Sequence, residues 1–260
     1  MSSLRNLNNP VTLVTGASSG IGEEIAREAA RRGHRLVLTA RRTDRIAALA
    51  AELGALAAIP GDLSAPGGVA GLVEELSRRD IAVDILVNNA GVGRQGSVAT
   101  LPAALQTGQI DLNVRALTEL TIALLPAMVA RGAGGILNVA SLAAFQAGPN
   151  LAVYFATKAY VLSFSEALHE EAKAAGVNVT ALCPGPTRSE FADVAHLHMS
   201  TALRSSALVA DPAEVARTGL DALERNRAIA VPGLANRIAA FGTRLVPRSV
   251  ARRIAGRIQK

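Results

Sequence analysis

The stretch Val-Thr-Leu-Val-Thr-Gly-Ala-Ser-Ser-Gly-Ile-Gly, residues 11–22, decides the fold class of this 260-residue chain. An apolar, β-branched run meets a turn with glycines at positions 16, 20 and 22, and a helix-periodic segment follows at once. A strand, a glycine-rich turn and a helix in this order point backbone N–H groups and the positive end of the helix dipole at a phosphate. The alternative is a Gly/Ser-rich turn without a ligand. A P-loop is excluded because no Gly-Lys-Ser/Thr ends the turn.

The remainder of the chain alternates short apolar runs with longer Ala-rich helical segments. The predicted strands are Val11–Thr15, Arg35–Ala40, Ala55–Pro60, Ile85–Asn88, Gly135–Ala140, Asn178–Pro184 and a possible last one at Ala228–Val231. The predicted helices are Gly22–Arg32, Arg45–Leu53, Gly68–Arg78, Pro102–Ala130 and Tyr154–Ala175. Strands that are apolar throughout and separated by helices indicate a parallel sheet covered on both faces. We therefore predict a single-domain α/β fold of the Rossmann type, a doubly wound parallel sheet.

Composition and charge exclude several classes of protein. Hydrophobic residues make up 50% and charged residues 18% of the chain, which excludes disorder. The single Cys183 excludes a disulfide framework and suits a reducing compartment. The net charge of +6 is concentrated in residues 225–260, which hold nine basic residues and no acidic one, so residues 1–224 carry 18 basic against 21 acidic side chains. With 3% aromatics and no Trp, we expect no nucleic-acid partner.

The first ten residues, MSSLRNLNNP, lack the apolar core of a signal peptide, and no run of about 18 uncharged apolar residues predicts a spanning helix. We therefore expect a cytoplasmic protein.

Four motifs, met in order between Val11 and Phe191, resemble those of the short-chain dehydrogenase/reductase family. They are TGxxxGxG at Thr15–Gly22, NNAG at Asn88–Gly91, the helix motif Asp111–Val114, and a Ser141 that precedes Tyr154-x-x-x-Lys158 by thirteen positions. The resemblance implies hydride transfer between a nicotinamide cofactor and a carbonyl or secondary alcohol. It divides the chain into an N-terminal extension (1–10), a dinucleotide-binding catalytic domain (11–224) with a substrate lid near 186–210, and a basic helical C-terminal extension (225–260).

The candidate catalytic residues are Asn113, Ser141, Tyr154 and Lys158. Tyr154 and Lys158 are four residues apart and share one helix face. A free Tyr has a pKa of about 10, and the neighbouring ammonium is predicted to lower it into range for general acid–base work. A YxxxK pair alone is common in ordinary helices; Ser141 favours the functional interpretation. In the family the Tyr protonates the substrate oxygen, the Ser holds it, the Lys contacts the nicotinamide ribose, and the Asn supports a water that links the Lys to solvent.

The resemblance assigns the cofactor-binding residues to five stretches. They are Gly16, Ser18, Ser19, Gly20, Ile21 and Gly22; Arg41 and Arg42; Asp62 and Leu63 beside the adenine; Asn89, Ala90 and Gly91; and Pro184, Gly185, Thr187 and Ser189, together with Tyr154 and Lys158. The second strand ends at Ala40, where NAD-binding folds place an Asp or Glu. Arg41 follows, and a guanidinium suits a 2′-phosphate. We predict NADP(H), against the alternative that both arginines are surface charges.

The substrate region and the tail are less informative. Phe145, Leu151 and the segment Phe191–Met199 are expected to line an apolar pocket for a lipophilic ketone or alcohol. His196 and His198 lack further ligands, so no metal is predicted. Leu234, Ile238, Phe241 and Leu245 have helical spacing up to Pro247, and Val250, Ile254 and Ile258 resume an apolar stripe opposite Arg252, Arg253 and Arg257. Peripheral membrane contact stays open, but packing over the substrate entrance or a partner subunit is favoured.

Two other function classes compete with the oxidoreductase. A non-catalytic NADP(H)-binding sensor or scaffold would not need the four candidate catalytic residues. An isomerase or lyase related to sugar-nucleotide epimerases would have a tighter glycine spacing and a larger C-terminal domain. The resemblance also implies a homodimer or homotetramer.

Overall fold

The strand β1, Val11–Thr15, is buried at every position and lies near the middle of a seven-stranded parallel sheet. This computed structural model describes residue 4, residues 7–195 and 209–245, and residues 247, 249 and 253. The other strands are β2 (Arg35–Thr39), β3 (Ala57–Ala58), β4 (Ile85–Asn88), β5 (Gly134–Val139), β6 (Val177–Leu182) and β7 (Ile229–Ala230). The predicted fold class is confirmed.

Helices connect these strands. They are α1 (Gly20–Arg31), α2 (Thr43–Leu53), α3 (Gly68–Arg78), α4 (Ala103–Ile110), α5 (Leu117–Arg131), α6 (Ala152–Lys173), α7 (Phe191–Val194), α8 (Pro212–Glu224) and α9 (Leu234–Leu245). A π-helical segment, Asp111–Ala116, joins α4 to α5, and a 3₁₀ turn, Leu142–Phe145, follows β5.

The strand order β3-β2-β1-β4-β5-β6-β7 reverses direction between β1 and β4. β1 pairs with β2 on one side, Val14 opposite Leu38, and with β4 on the other, Val14 opposite Val87. The connections leave the carboxyl ends of β1 and β4 in opposite directions, which opens a crevice there. This crevice positions the candidate site.

Alternate residues of each strand point to two separate cores. Val14 and Leu38 pack with Ile25 of α1 and Leu220 of α8 on one face. Leu13 and Val37, their neighbours, pack on the opposite face with side chains from α3, α5 and α6. Burial on both faces explains why the strands read as continuous apolar runs.

The predicted helix Pro102–Ala130 is divided in the structure into α4, the π-helical segment and α5. Within the described residues, Ala103–Arg131 is the one helical stretch whose length and composition would suffice to cross a membrane, with a hydropathy of 1.4. A core helix passes the same test, and here Leu120 and Met128 are buried in the core between this stretch and the sheet.

Several predicted strands and helices differ from the observed ones by one or two residues at an end. The predicted strand Ala55–Pro60 is reduced to β3, because only Val37 and Leu38 of β2 pair with it. The seventh strand, β7, lies within the segment predicted as the C-terminal extension and pairs with β6. The helix α9 follows, and it ends at Leu245 before Pro247. The stripe predicted at Val250, Ile254 and Ile258 lies outside the described residues.

Candidate active site

A cleft of about 690 Å³ opens at the carboxyl ends of the strands, at the reversal between β1 and β4. Its volume is in the range of small-molecule and cofactor sites. The predicted site residues that line it are Gly16, Ser18, Ser19, Gly20, Ile21, Arg41, Arg42, Asp62, Leu63, Asn89, Ala90, Gly91, Ser141, Tyr154, Lys158, Pro184, Gly185, Thr187 and Ser189. Gly22 and Asn113 do not line the cleft, but they contact Asn89 and Val92, which do.

The glycine-rich turn brings bare backbone to the floor of the cleft. Gly16 and Gly20 have positive φ of 65° and 60°, which favours glycine. A Cβ at Gly22 would collide with the Asn89 amide and the Gly16 carbonyl oxygen, so the helix can pack this closely only with glycine there. Ser19, the N-cap of α1, makes no side-chain capping bond. Within the part of the chain that the structure describes, the Ser19 hydroxyl therefore leaves the first N–H groups of α1 uncapped, which suits a bound pyrophosphate.

Thr15 fastens the ends of β1 and β4 together beneath this turn. Its Oγ1 accepts hydrogen bonds from the backbone N–H groups of Asn89 and Ala90, both at 2.9 Å. The Asn89 side-chain amide donates to the Thr15 carbonyl oxygen at 2.9 Å. Thr15 belongs to the glycine-rich motif, but nothing in the sequence pattern pointed to this role.

Two arginines stand at the end of β2, at the far end of the cleft. Arg41 is exposed, and its charge helps to lower the pKa of Asp62, after the larger effect of the hydrogen bond from the Ser64 hydroxyl. Arg42 donates to the hydroxyl oxygens of Ser18 at 3.0 Å and Ser19 at 2.6 Å. β2 is followed by Ala40, so this position carries no carboxylate.

The candidate catalytic side chains meet where β5 ends. Ser141 caps the 3₁₀ turn, its Oγ accepting from the Ala143 N–H at 3.1 Å, and it also shares a hydrogen bond with the Tyr154 hydroxyl. The ammonium of Lys158 is buried, donates to the Val139 carbonyl oxygen at 2.8 Å, and lies 5.9 Å from the centre of the Tyr154 ring.

The acidity of this pair differs from the sequence-based prediction. Desolvation raises the pKa of Tyr154 to about 12, and the hydrogen bond with Ser141 opposes that rise. Desolvation also lowers the pKa of Lys158 to about 8. The expectation that Lys158 lowers the pKa of Tyr154 is therefore wrong, because burial raises this pKa and only the Ser141 hydrogen bond opposes the rise.

Asn113 lies in the π-helical segment and braces the wall of the cleft. Its Oδ1 accepts from the Val92 N–H at 2.9 Å, and its Nδ2 donates to the Val92 carbonyl oxygen at 2.8 Å and to the Thr157 hydroxyl at 3.0 Å. A Cβ on Gly91 would lie 3.2 Å from Asn113 Oδ1 and 3.4 Å from Lys158 Nζ. No sequence motif pointed to Thr157; only its place beside Lys158 could have singled it out.

The segment after β6 closes the cleft from above. Pro184 is buried, and a Cβ on Gly20 would lie 2.9 Å from the Ser189 Cβ, so the segment and the glycine-rich turn touch across the cleft. Glu190 follows, and its carboxylate accepts from Arg42 at 2.5 Å and from Arg45 at 2.7 Å. These ion pairs hold the pKa of Glu190 at about 2. Nothing in the sequence pattern pointed to Glu190.

The substrate end of the cleft is apolar. The Tyr154 ring packs against Phe155 and Phe191, with ring centres 6.1 and 5.4 Å away, and Leu151 lines the same end. Phe145 was expected here; it packs instead against the core cluster around Ala140 and Leu162, because the 3₁₀ turn directs it away from the cleft. His196, His198 and Met199 lie outside the described residues.

Two alternative reactive groups find no support in the part of the chain that the structure describes. Cys183 is buried, and desolvation raises the pKa of its thiol to about 12, which keeps it protonated. Among the described residues, no three His, Cys, Asp or Glu side chains come close enough to hold a metal ion.

Comparison with known proteins identifies the family. The family described as short chain dehydrogenase matches residues 10–198. Oxidoreductase UcpA from Escherichia coli (strain K12) is 34% identical over 191 residues, which cover 72% of this chain and 73% of the relative.

Two solved structures share the fold and carry a nicotinamide nucleotide. The short-chain dehydrogenase from Sphingobium yanoikuyae in complex with NADPH is 36% identical, with a TM-score of 0.80, over 91% of this chain and 94% of that one. The short chain dehydrogenase/reductase from Burkholderia phymatum in complex with NAD is 25% identical, with a TM-score of 0.80, over 94% of both chains. The glycine-rich turn suits a bound pyrophosphate, and the match to this family covers most of the chain. The chain is therefore an oxidoreductase of the short-chain dehydrogenase/reductase family, with a site for a nicotinamide cofactor.

Proposed function

We propose that this chain is an NADP(H)-dependent enzyme that interconverts a carbonyl group and a secondary alcohol, with Tyr154 as the general acid and base. One observation carries the proposal. The hydrogen-bonded hydroxyls of Ser141 and Tyr154 stand at one end of a continuous cleft, and the basic pair Arg41 and Arg42 stands at the other. A single cleft therefore offers a proton donor for the substrate oxygen and two guanidinium groups for a 2′-phosphate.

The protonation states favour the reducing direction near neutral pH. When bound, the nicotinamide supplies or accepts the hydride. With a pKa of about 12, Tyr154 holds its proton at neutral pH and can donate it to a substrate oxygen. The Ser141 hydroxyl donates a hydrogen bond to that same oxygen, and Lys158, protonated below its pKa of about 8, stabilises the phenolate that remains. Alcohol oxidation needs the phenolate at the start and is expected to be faster at alkaline pH.

The choice of cofactor and the substrate class follow from the two ends of the cleft. Solved relatives carry NADPH or NAD, so the preference must come from this chain's own residues. Arg41 and Arg42 with no nearby carboxylate on β2 support NADP(H). Leu151, Phe155 and Phe191 give the other end an apolar surface, which supports a lipophilic ketone or alcohol as substrate.

A kinetic comparison tests the proposal. The wild-type protein should oxidise NADPH in the presence of lipophilic ketones, with a higher kcat/KM for NADPH than for NADH. Tyr154→Phe should lower kcat by about a hundred-fold or more because the proton donor is lost, while the Kd for NADPH stays within about three-fold. Tyr160→Phe removes the hydroxyl of the only other tyrosine, on the exposed side of α6, and should leave kcat unchanged. Full turnover by Tyr154→Phe would refute the mechanism. Tight NADPH binding without turnover of any ketone would favour a sensor or scaffold.

A further inference from the structure

We infer that Glu190 is a cofactor-discriminating residue. Its carboxylate binds the Arg42 guanidinium, which the 2′-phosphate of NADP(H) needs, and releases this guanidinium when the phosphate binds. The inference rests on the proposed NADP(H) preference and extends it from the arginines to the lid. It assigns a role to a residue that no motif of the sequence singled out.

The geometry of Arg42 carries the inference. All three of its guanidinium nitrogens are occupied: Nε by Ser18, Nη2 by Ser19 and Nη1 by Glu190. Two of the three partners are hydroxyls of the glycine-rich turn, which can turn to donate to a phosphate. The third is the Oε2 atom of the Glu190 carboxylate, an anionic acceptor as a phosphate oxygen is. Glu190 therefore occupies a donor position of Arg42 that could otherwise bind an anionic ligand.

The charges around this point make the competition selective. A carboxylate and a 2′-phosphate next to the same guanidinium repel each other, whereas the 2′-hydroxyl of NAD(H) brings no charge. Arg45 binds the second oxygen of Glu190 at 2.7 Å, so the carboxylate can swing away from Arg42 and still keep one ion pair. The cost of release is small because the side chains of Arg42 and Glu190 are 40% and 43% exposed.

Glu190 also links this competition to the lid. It directly follows Ser189, whose side chain reaches the glycine-rich turn, and it is the N-cap residue of α7. The two ends of the lid are held together, since Arg188 donates its backbone N–H to Ala210 and Ala210 donates its own to Pro186. Glu190 therefore lies at the junction between the arginine pair and the start of α7.

A binding experiment tests the inference without turnover. Calorimetry gives the Kd of adenosine 2′,5′-bisphosphate and of AMP, which differ only in the 2′-phosphate. Glu190→Gln should tighten binding of the bisphosphate about three- to five-fold and leave AMP unchanged, since an exposed ion pair contributes up to about 1 kcal/mol. Glu75→Gln is the matched control, because Glu75 also bridges two arginines, Arg78 and Arg79, but on α3. It should change neither Kd.

The charge-conserving variant Glu190→Asp separates direct contact from repulsion at a distance. The shorter side chain keeps the charge but cannot hold both Arg42 and Arg45, so it should tighten bisphosphate binding by less than Glu190→Gln does. Two results would overturn the inference. One is that Glu190→Asp binds the bisphosphate as the wild type does. The other is that Glu190→Gln leaves the ratio of the two Kd values unchanged, including the case in which it tightens binding of both nucleotides equally. The ratio of the two Kd values in the wild type tests the cofactor preference separately. If the wild type prefers the bisphosphate and Glu190→Gln does not alter that preference, the proposed NADP(H) preference is upheld and the role of Glu190 is refuted.

Discussion

At the scale of single residues, the burial of the Lys158 ammonium lowers the stability of the folded protein. Its side chain is buried and donates a hydrogen bond only to the Val139 carbonyl oxygen among the described contacts. Desolvation lowers its pKa from 10.5 to about 8. The unfolded chain therefore binds this proton more tightly than the native protein does. The native state carries the full penalty below about pH 8, and the penalty disappears as the pH rises from there towards 10.5.

Lys158→Met should accordingly raise stability while it removes activity. At pH 7 we expect a gain in the free energy of unfolding of about 2 kcal/mol, from the lost desolvation penalty less the lost hydrogen bond. The gain should shrink at pH 10, because the wild-type lysine no longer has to hold a buried charge there. Urea unfolding at the two pH values measures it. Lys173→Met, an exposed lysine at the end of the same helix, is the control and should change stability by less than about 0.5 kcal/mol. A variant less stable than the wild type at pH 7 would contradict the pKa shift.

At the scale of elements, the junction of β1 and α1 depends on the lack of a side chain at Gly22. Because a Cβ there would meet Asn89 and the Gly16 carbonyl oxygen, Gly22→Ala should push α1 away from the end of β4. We expect a loss of about 1–3 kcal/mol in stability and weaker nucleotide binding, measured by thermal unfolding and calorimetry.

The matched control lies on α3. Gly71 is exposed within that helix, and a Cβ there would meet nothing within 4 Å. Gly71→Ala should therefore stabilise the protein by up to about 1 kcal/mol and leave nucleotide binding unchanged. Equal effects of the two substitutions would show that Gly22 matters only for helix propensity.

At the scale of the whole molecule, the described residues of the long helices include exposed apolar side chains. Ile122 and Val129, seven residues apart on α5, are 65% and 42% exposed, and Tyr160 of α6 lies beside Thr118 of α5 with a hydrogen bond between their hydroxyls. We propose that a second copy of the chain covers this face, as the family resemblance implies.

Ile122→Lys should then convert the assembly to a monomer, because a charge would be buried in the interface. Light scattering gives the mass of the wild type and the variant. Ile238→Lys is the control: Ile238 on α9 is also 65% exposed, and its substitution should leave the assembly intact. A monomeric wild-type protein would refute the proposal, and dissociation by Ile238→Lys alone would move the interface to the C-terminal helix.

The sequence by itself predicted most of the strands and helices and placed the candidate site residues in recognisable motifs. Continuous apolar strands such as Ile85–Asn88 and helical spacing such as that of Gly68–Arg78 are local signals, and both elements have the same bounds in the structure as in the prediction. The glycine-rich turn and the pair Tyr154 and Lys158 are also local, because their chemistry depends on spacing within one turn or one helix.

Only the tertiary structure decided what depends on contacts between distant parts of the chain. The pKa of Tyr154 rises because other elements exclude water from it, and no neighbour in the sequence reports that burial. The π-helical segment that places Asn113 against Val92 and the Glu190 carboxylate on Arg42 both join residues that are far apart along the chain. Local sequence fixes which groups are available; the packed fold fixes their environment, and the environment sets their charge and their partners.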